Sequence, residues 1–88
     1  MTRKKRCHHE IIADILEYLN GANQARISWI AMHANMPLDR ITFLLQELEK
    51  RELVRKVKSS RGEYYKLGRR GHEYLESWRK LKVILGRI

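Results

Sequence analysis

Four consecutive cations, Arg3-Lys4-Lys5-Arg6, stand near the start of the 88-residue chain, and seven of the eight charged residues between positions 54 and 70 are basic, Glu63 being the exception. Arginine and lysine at this density meet phosphates through charge-assisted hydrogen bonds, and each phosphate they neutralise releases bound counterions. Between positions 7 and 53 the balance reverses, with four basic and seven acidic side chains. The net charge of +9 is therefore concentrated in an arm and one internal segment around a mildly acidic body. Two separated basic clusters read as a polyanion footprint; a general solubility device would spread its charge.

Other chemistry is hard to build from these residues. Cys7-His8-His9 are neighbours in sequence, and adjacent residues on a helix do not face one site, while His33 and His72 are distant. No metal site and no cofactor are expected. There is no phosphate-cradling glycine loop and no nucleophile–base pair in a recognisable setting, so the chain is not expected to be an enzyme. A single cysteine excludes an internal disulfide framework and fits a reducing cytosol. The longest apolar runs, such as Trp29-Ile30-Ala31-Met32, are too short to span a membrane. The expected location is cytoplasmic and nucleoid-associated. With 43% apolar residues the chain has enough for one small core, and a core of this size is marginal alone, which favours a partner subunit.

The elements that must position the cations follow from apolar periodicity. Ile11, Ile12, Ile15, Leu16 and Leu19 recur at helical spacing, which predicts a helix over 8–20 ended by Asn20-Gly21. Ser28 is placed to cap a second short helix that Asn35 stops, and Met36-Pro37 is the turn. A third helix is expected over 38–53, with Leu38, Ile41, Leu44, Leu45 and Leu48 as its buried stripe. The period then changes: 53–58 and 63–67 read as two strands of a hairpin whose basic tip is Ser59-Ser60-Arg61-Gly62. From Arg69 to Ile88 the chain reads as helix again, about 30 Å long at 1.5 Å per residue. Its seam of Tyr74, Trp78, Leu81, Leu85 and Ile88, widened by Leu75 and Ile84, suggests self-association into a homodimer. The fold class is mainly α with a small β-hairpin (α+β): a winged helix-turn-helix followed by a long C-terminal helix. The expected organisation is a flexible basic arm over 1–7, a winged-helix domain over 8–68 and a dimerisation helix over 69–88.

At this level the chain resembles the small archaeal winged-helix DNA-binding proteins of the ten-kilodalton type, which dimerise through a C-terminal antiparallel coiled coil. The resemblance covers most of the chain. It is carried by Glu10-Ile11-Ile12-Ala13-Asp14-Ile15-Leu16 after basic residues, and by Ser28-Trp29-Ile30 with Ala34-Asn35-Met36. It continues through 45–54 and through Tyr65-Lys66-Leu67-Gly68-Arg69-Arg70-Gly71-His72-Glu73-Tyr74-Leu75. Two positions depart from the family pattern. Glu52 stands where the family usually has Gly, and Gly68 where it usually has Thr. A left-handed cap kept at Glu52 would cost about 1 kcal/mol relative to Gly.

The resulting expectation is a double-stranded DNA-binding protein, acting as a transcriptional regulator or a chromatin-like protein. The third helix would enter the major groove, with Arg40 on a guanine edge or phosphate, Gln46 on adenine, and Thr42 and Phe43 on a thymine methyl. Ser28 and Lys50 complete the candidates on the helix-turn-helix. That helix carries more acid than base, so most affinity must come from the wing residues Lys56, Lys58, Ser59, Ser60 and Arg61 and from the arm. The same weakly acidic helix supports an alternative: a winged-helix module that binds protein within a transcription or other nucleic-acid assembly.

Overall fold

A computed structural model describes residues 8–85, apart from the Leu85 side chain. The arm residues Arg3, Lys4, Lys5 and Arg6, together with Ile88, lie outside the described residues. The chain runs α1 (His8–Ala22), α2 (Ile27–Ala34), α3 (Leu38–Lys50), β1 (Val54–Ser59), β2 (Gly62–Leu67) and α4 (Gly71–Leu85). This is a winged helix of four helices and a two-stranded hairpin. Among the described residues no helix is long and apolar enough to cross a membrane.

The core forms where the apolar stripes of three helices meet the hairpin. Ile12, Ile15, Leu16 and Leu19 of α1, Ile30 and Ala34 of α2, and Ile41, Leu45 and Leu48 of α3 are buried together with Val54, Tyr65 and Leu75. Leu44 packs at the core's edge, but Leu38 is 53% exposed and does not belong to the buried stripe.

Helix ends follow backbone geometry more than the nearest glycine. α1 runs through Asn20-Gly21 to Ala22, and nothing lies within 4 Å of where a Gly21 Cβ would stand. The stop is Asn23, at φ 75°, whose N–H donates to the Leu19 carbonyl at 2.8 Å. Ser28 does not cap α2. The helix leaves from Arg26 in extended conformation, whose carbonyl accepts the N–H groups of Trp29 (3.0 Å) and Ile30 (3.1 Å). The cause is a strand-like bridge just upstream: Ala25 and Tyr65 exchange N–H···O bonds of 3.0 and 2.8 Å, so residue 25 is tied to β2 before any later cap can act. Asn35 ends α2 as expected, at φ 57°, with its own N–H on the Met32 carbonyl and the Met36 N–H on Ala31, the paired bonds of a Schellman motif.

α3 ends at Lys50, three residues before the expected limit. The same paired motif closes it: Glu52 N–H donates to Glu49 and Leu53 N–H to Leu48, with Glu52 at φ 63°. The left-handed cap is thus kept with Glu in place of Gly. The Glu52 and Leu53 carbonyls then accept from Arg70 (2.9 Å) and Gly68 (2.8 Å). A Cβ at Gly68 would lie 2.5 Å from the Glu52 carbonyl oxygen, and one at Gly71 2.5 Å from that of Leu53. Gly68 is therefore a point of backbone contact and not the cap of the last helix.

The strands pair antiparallel with Val54 opposite Leu67 and Ser59 opposite Gly62, leaving Ser60-Arg61 as the turn. α4 begins at Gly71, two residues later than expected, and its described 15 residues span about 22 Å, shorter than the expected helix. It is not a free rod. Leu75 is in the body's own core and so does not widen the seam, Arg79 donates to the Glu17 carboxylate at 2.8 Å, and the Tyr74 hydroxyl donates to the His9 carbonyl at 3.3 Å. The hydrogen bond and charge of Glu17 hold the Arg79 guanidinium above its ordinary pKa. Trp78 is half-buried. Past this anchor Leu81, Val83 and Ile84 face outward, 47%, 81% and 78% exposed.

Replacing Glu52 by Gly relieves the left-handed backbone. The ion pair lost with it, to Arg69 at 4.0 Å, is exposed and worth little. Glu52→Gly is expected to stabilise the fold by about 1 kcal/mol in urea unfolding; an unchanged or lower midpoint would show that Glu52 supports the cap in another way.

Candidate nucleic-acid interface

Burial of Ile41, Leu45 and Leu48 fixes the rotation of α3 and turns Arg40, Phe43 and Gln46 to solvent. Phe43 is 69% exposed, on the surface and outside the core. Arg40 makes no ion pair with Asp39 or any other acid among the described residues. Thr42 is half-buried and its hydroxyl donates back to the Leu38 carbonyl at 2.7 Å, so that hydroxyl is spent within the helix. Lys50 lies 3.5 Å and Arg51 3.9 Å from the Glu47 carboxylate, so the C-terminal end of α3 is internally neutralised. Ser28 is exposed in the first turn of α2.

The hairpin projects from the body through the buried pair Val54 and Tyr65. Lys56 and Lys58 both lie 3.9 Å from the Glu63 carboxylate, one acid serving two cations. Lys56 also sits over the Tyr65 ring, 5.8 Å from its centre. The Ser59 hydroxyl bonds the Gly62 carbonyl (3.3 Å) and the Arg61 N–H (3.2 Å), so it shapes the turn and is already engaged. Ser60 and Arg61 are exposed at the tip. Tyr64 and Tyr65 alternate faces as their adjacency requires, one half-buried and the other buried.

Arg26 was not among the expected interface residues, yet it joins the two halves. Its guanidinium donates to the Arg61 carbonyl at 3.1 Å and to the Tyr64 hydroxyl at 3.4 Å, and lies 5.4 Å from the centre of the Tyr64 ring. It ties the start of α2 to the wing tip. No local pattern announces this, because its partners are 35 and 38 residues away. Trp29 and Met32 were likewise unassigned; they stand one turn apart on α2, 60% and 77% exposed. The imidazole of His33 stacks on Tyr18 with ring centres 4.4 Å apart. Among the described residues no group of three or more His, Cys, Asp or Glu is arranged to hold a metal ion.

Comparison with known proteins places this geometry. The family model described as winged helix-turn-helix matches residues 5–85. No curated protein sequence matches the chain. Among solved structures the fold is similar to that of AbsC, a MarR family transcriptional regulator from Streptomyces coelicolor, with TM-score 0.73 and 22% identity over 83% of this chain and 53% of that one. It is similar to MepR of Staphylococcus aureus in complex with DNA, with TM-score 0.75 and 17% identity over 88% of this chain and 66% of that one. It is similar also to AF1382 of Archaeoglobus fulgidus, with TM-score 0.72 and 19% identity over 90% of this chain and 91% of that one. The chain thus spans about half to two thirds of the two bacterial proteins and nearly all of the archaeal one.

Proposed function

Because the chain belongs to the winged helix-turn-helix family, we propose that it binds double-stranded DNA as a homodimeric transcriptional regulator or chromatin-like protein. The observation that carries this reading is the pairing of two surfaces with no folding role. α3 offers Arg40, Phe43 and Gln46 from a rotation fixed by its buried side, and the wing offers Arg61 from a turn built by Ser59. The same scaffold is seen on DNA in the MepR complex. Closer kinship with the ten-kilodalton archaeal proteins, and a cytoplasmic, nucleoid-associated location, are part of the proposal.

In this reading α3 lies in the major groove. Arg40 and Gln46 read base edges, and Phe43 and the methyl group of Thr42 meet thymine. Ser28 at the start of α2, Lys50, and Ser60 with Arg61 on the wing meet the backbone, and Arg3, Lys4, Lys5 and Arg6 add salt-dependent affinity. Lys56 and Lys58 reach phosphate by exchanging Glu63 for it, and Ser59 serves by shaping the tip.

Dimerisation is assigned to α4. Trp78 on the anchored half of the helix and Leu81 and Ile84 past it form the ridge, with Tyr74, Leu85 and Ile88 as the remaining seam positions. A second reading, a module that docks protein, is favoured by one observation: the apolar ridge of Trp29 and Met32 on α2.

Fluorescence anisotropy on a random-sequence duplex across a salt series separates the two readings. Tight binding with a steep negative salt slope supports the DNA reading, and weak binding at low salt favours protein docking. Arg61→Ala is expected to weaken binding to every duplex and reduce the slope by about 0.9, whereas Gln46→Ala relaxes sequence preference. Equal effects of both on all sequences would remove α3 from the groove.

Glu63→Gln frees two lysines and removes a carboxylate that repels phosphate. Duplex affinity is expected to rise about two- to fivefold, the worth of exposed ion pairs; unchanged affinity would mean the two lysines do not reach the backbone.

For assembly, Ile84→Asp alters a residue that its own body leaves uncovered, so the fold should persist. A monomeric mass by light scattering is expected, and an undiminished dimer mass would place the interface elsewhere.

A further inference from the structure

The two faces of the hairpin are electrostatically unlike. On one face Lys56 and Lys58 share Glu63. On the other, Arg55 stands directly across from Lys66, and neither has an acidic partner among the described residues. Like charges directly opposite on neighbouring strands oppose folding, and Val, Thr or Glu at either position would serve the strand better. A local violation of this kind points to a use other than folding.

The surroundings strengthen the case. Arg55 and Lys66 line a cleft of about 390 Å³ at the base of the hairpin. Arg69 and His72 line it from the approach to α4 and its first turn, and Asn20 and Asn23 from the end of α1. Among the described residues no acidic side chain lines it. The nearest compensation is distant and weak: Arg69 lies 4.0 Å from Glu52 in an exposed pair. The first turn of α4 adds the positive end of a 15-residue helix. No residue of α2 or α3 contributes, so the cleft is separate from the surface assigned to base reading.

We infer that this cleft is a binding site for phosphoryl oxyanions, with a compact, multiply charged diphosphate group as the chemistry that fits it. Arg55 and Arg69 supply planar forks that suit phosphate oxygens, Lys66 supplies a point charge, and the asparagine amides and the His72 ring supply further N–H donors. An anion between Arg55 and Lys66 converts a repulsive cross-strand pair into two attractive contacts. The phosphoryl groups can belong to a free small molecule or to a nucleic-acid backbone. The inference does not depend on the groove-reading role of α3.

The test uses the full chain and sodium diphosphate, with sodium sulfate at equal ionic strength as control. Diphosphate is expected to raise the melting temperature of the parent above the sulfate value and to move the amide resonances of Arg55, Lys66, Arg69 and His72. Lys66→Gln and Arg55→Gln are each expected to bind diphosphate about three- to tenfold more weakly, as loss of one charge-assisted bond requires. Without added anion, Lys66→Gln should melt no lower than the parent, since it removes the repulsion. Arg61→Gln should leave diphosphate binding unchanged. Equal gains from both salts in parent and variants, or resonance changes at the wing tip in place of the cleft, would overturn the site. The duplex then identifies the source. Lost duplex affinity and a shallower salt slope in Lys66→Gln assign the phosphoryl groups to the nucleic-acid backbone; intact duplex binding assigns them to a small anion. A parent that binds no duplex would defeat the DNA reading while the diphosphate result stood.

Discussion

The close approach of backbone at Gly68 and Gly71 to the Glu52 and Leu53 carbonyls is the constraint on which the arrangement depends. Three elements meet there: the end of α3, the return of the hairpin and the start of α4. The carbonyls accept N–H groups of Arg70 and Gly68 at 2.9 and 2.8 Å, so no side chain can intervene. The directions of α3, the wing and the last helix are set at this one junction. The left-handed conformation of Glu52 is the local cost of that junction, and it is what lets the chain reverse within two residues of α3.

From that junction the surface chemistry follows. With α3 held by Ile41, Leu45 and Leu48, its polar side has one orientation, and a side chain as apolar as Phe43 is left in water. The hairpin leaves the body through Val54 and Tyr65, a bridge to Ala25 holds its base, and the Arg26 guanidinium holds its tip. The wing is thus braced at both ends. A two-stranded hairpin alone is marginal in water, and this bracing lets so few residues present fixed charges.

Much of the fold was legible because local chemistry and tertiary packing agree. The left-handed stop at Asn35 and the α1 stripe could be read directly, and the cost at Glu52 was implied by the resemblance to proteins that usually have Gly there. What could not be read has a common cause. Ser28 is a good cap by composition, but the Ala25 bridge to a strand 40 residues later starts the helix earlier. Leu75 fits a heptad seam by spacing, yet it fills the body's own core. Leu38 fits the α3 stripe by spacing, yet it stands 53% exposed. In the candidate site, the exposed residues of α3 were visible from periodicity. The internal engagement of Ser59 and Thr42, the sharing of Glu63 and the reach of Arg26 were not. Each of these is set by a contact partner, or by a rotamer, that residue type alone leaves open.

The single-residue bridge at Ala25 has a further consequence. Among the described residues it covers the outer side of β2 only at Tyr65, and β1 pairs with β2 alone, so β1 presents an open row of backbone donors and acceptors. An open edge is a template for strand addition by another chain, and lysines and arginines along it are a recognised guard. Arg55, Lys56 and Lys58 occupy that edge. Their charges keep neighbouring molecules from zipping together edge to edge, whatever else they attract. Colloidal behaviour is therefore tied to the same three side chains to which the proposed anion contacts are assigned, so a change that tunes one would alter the other.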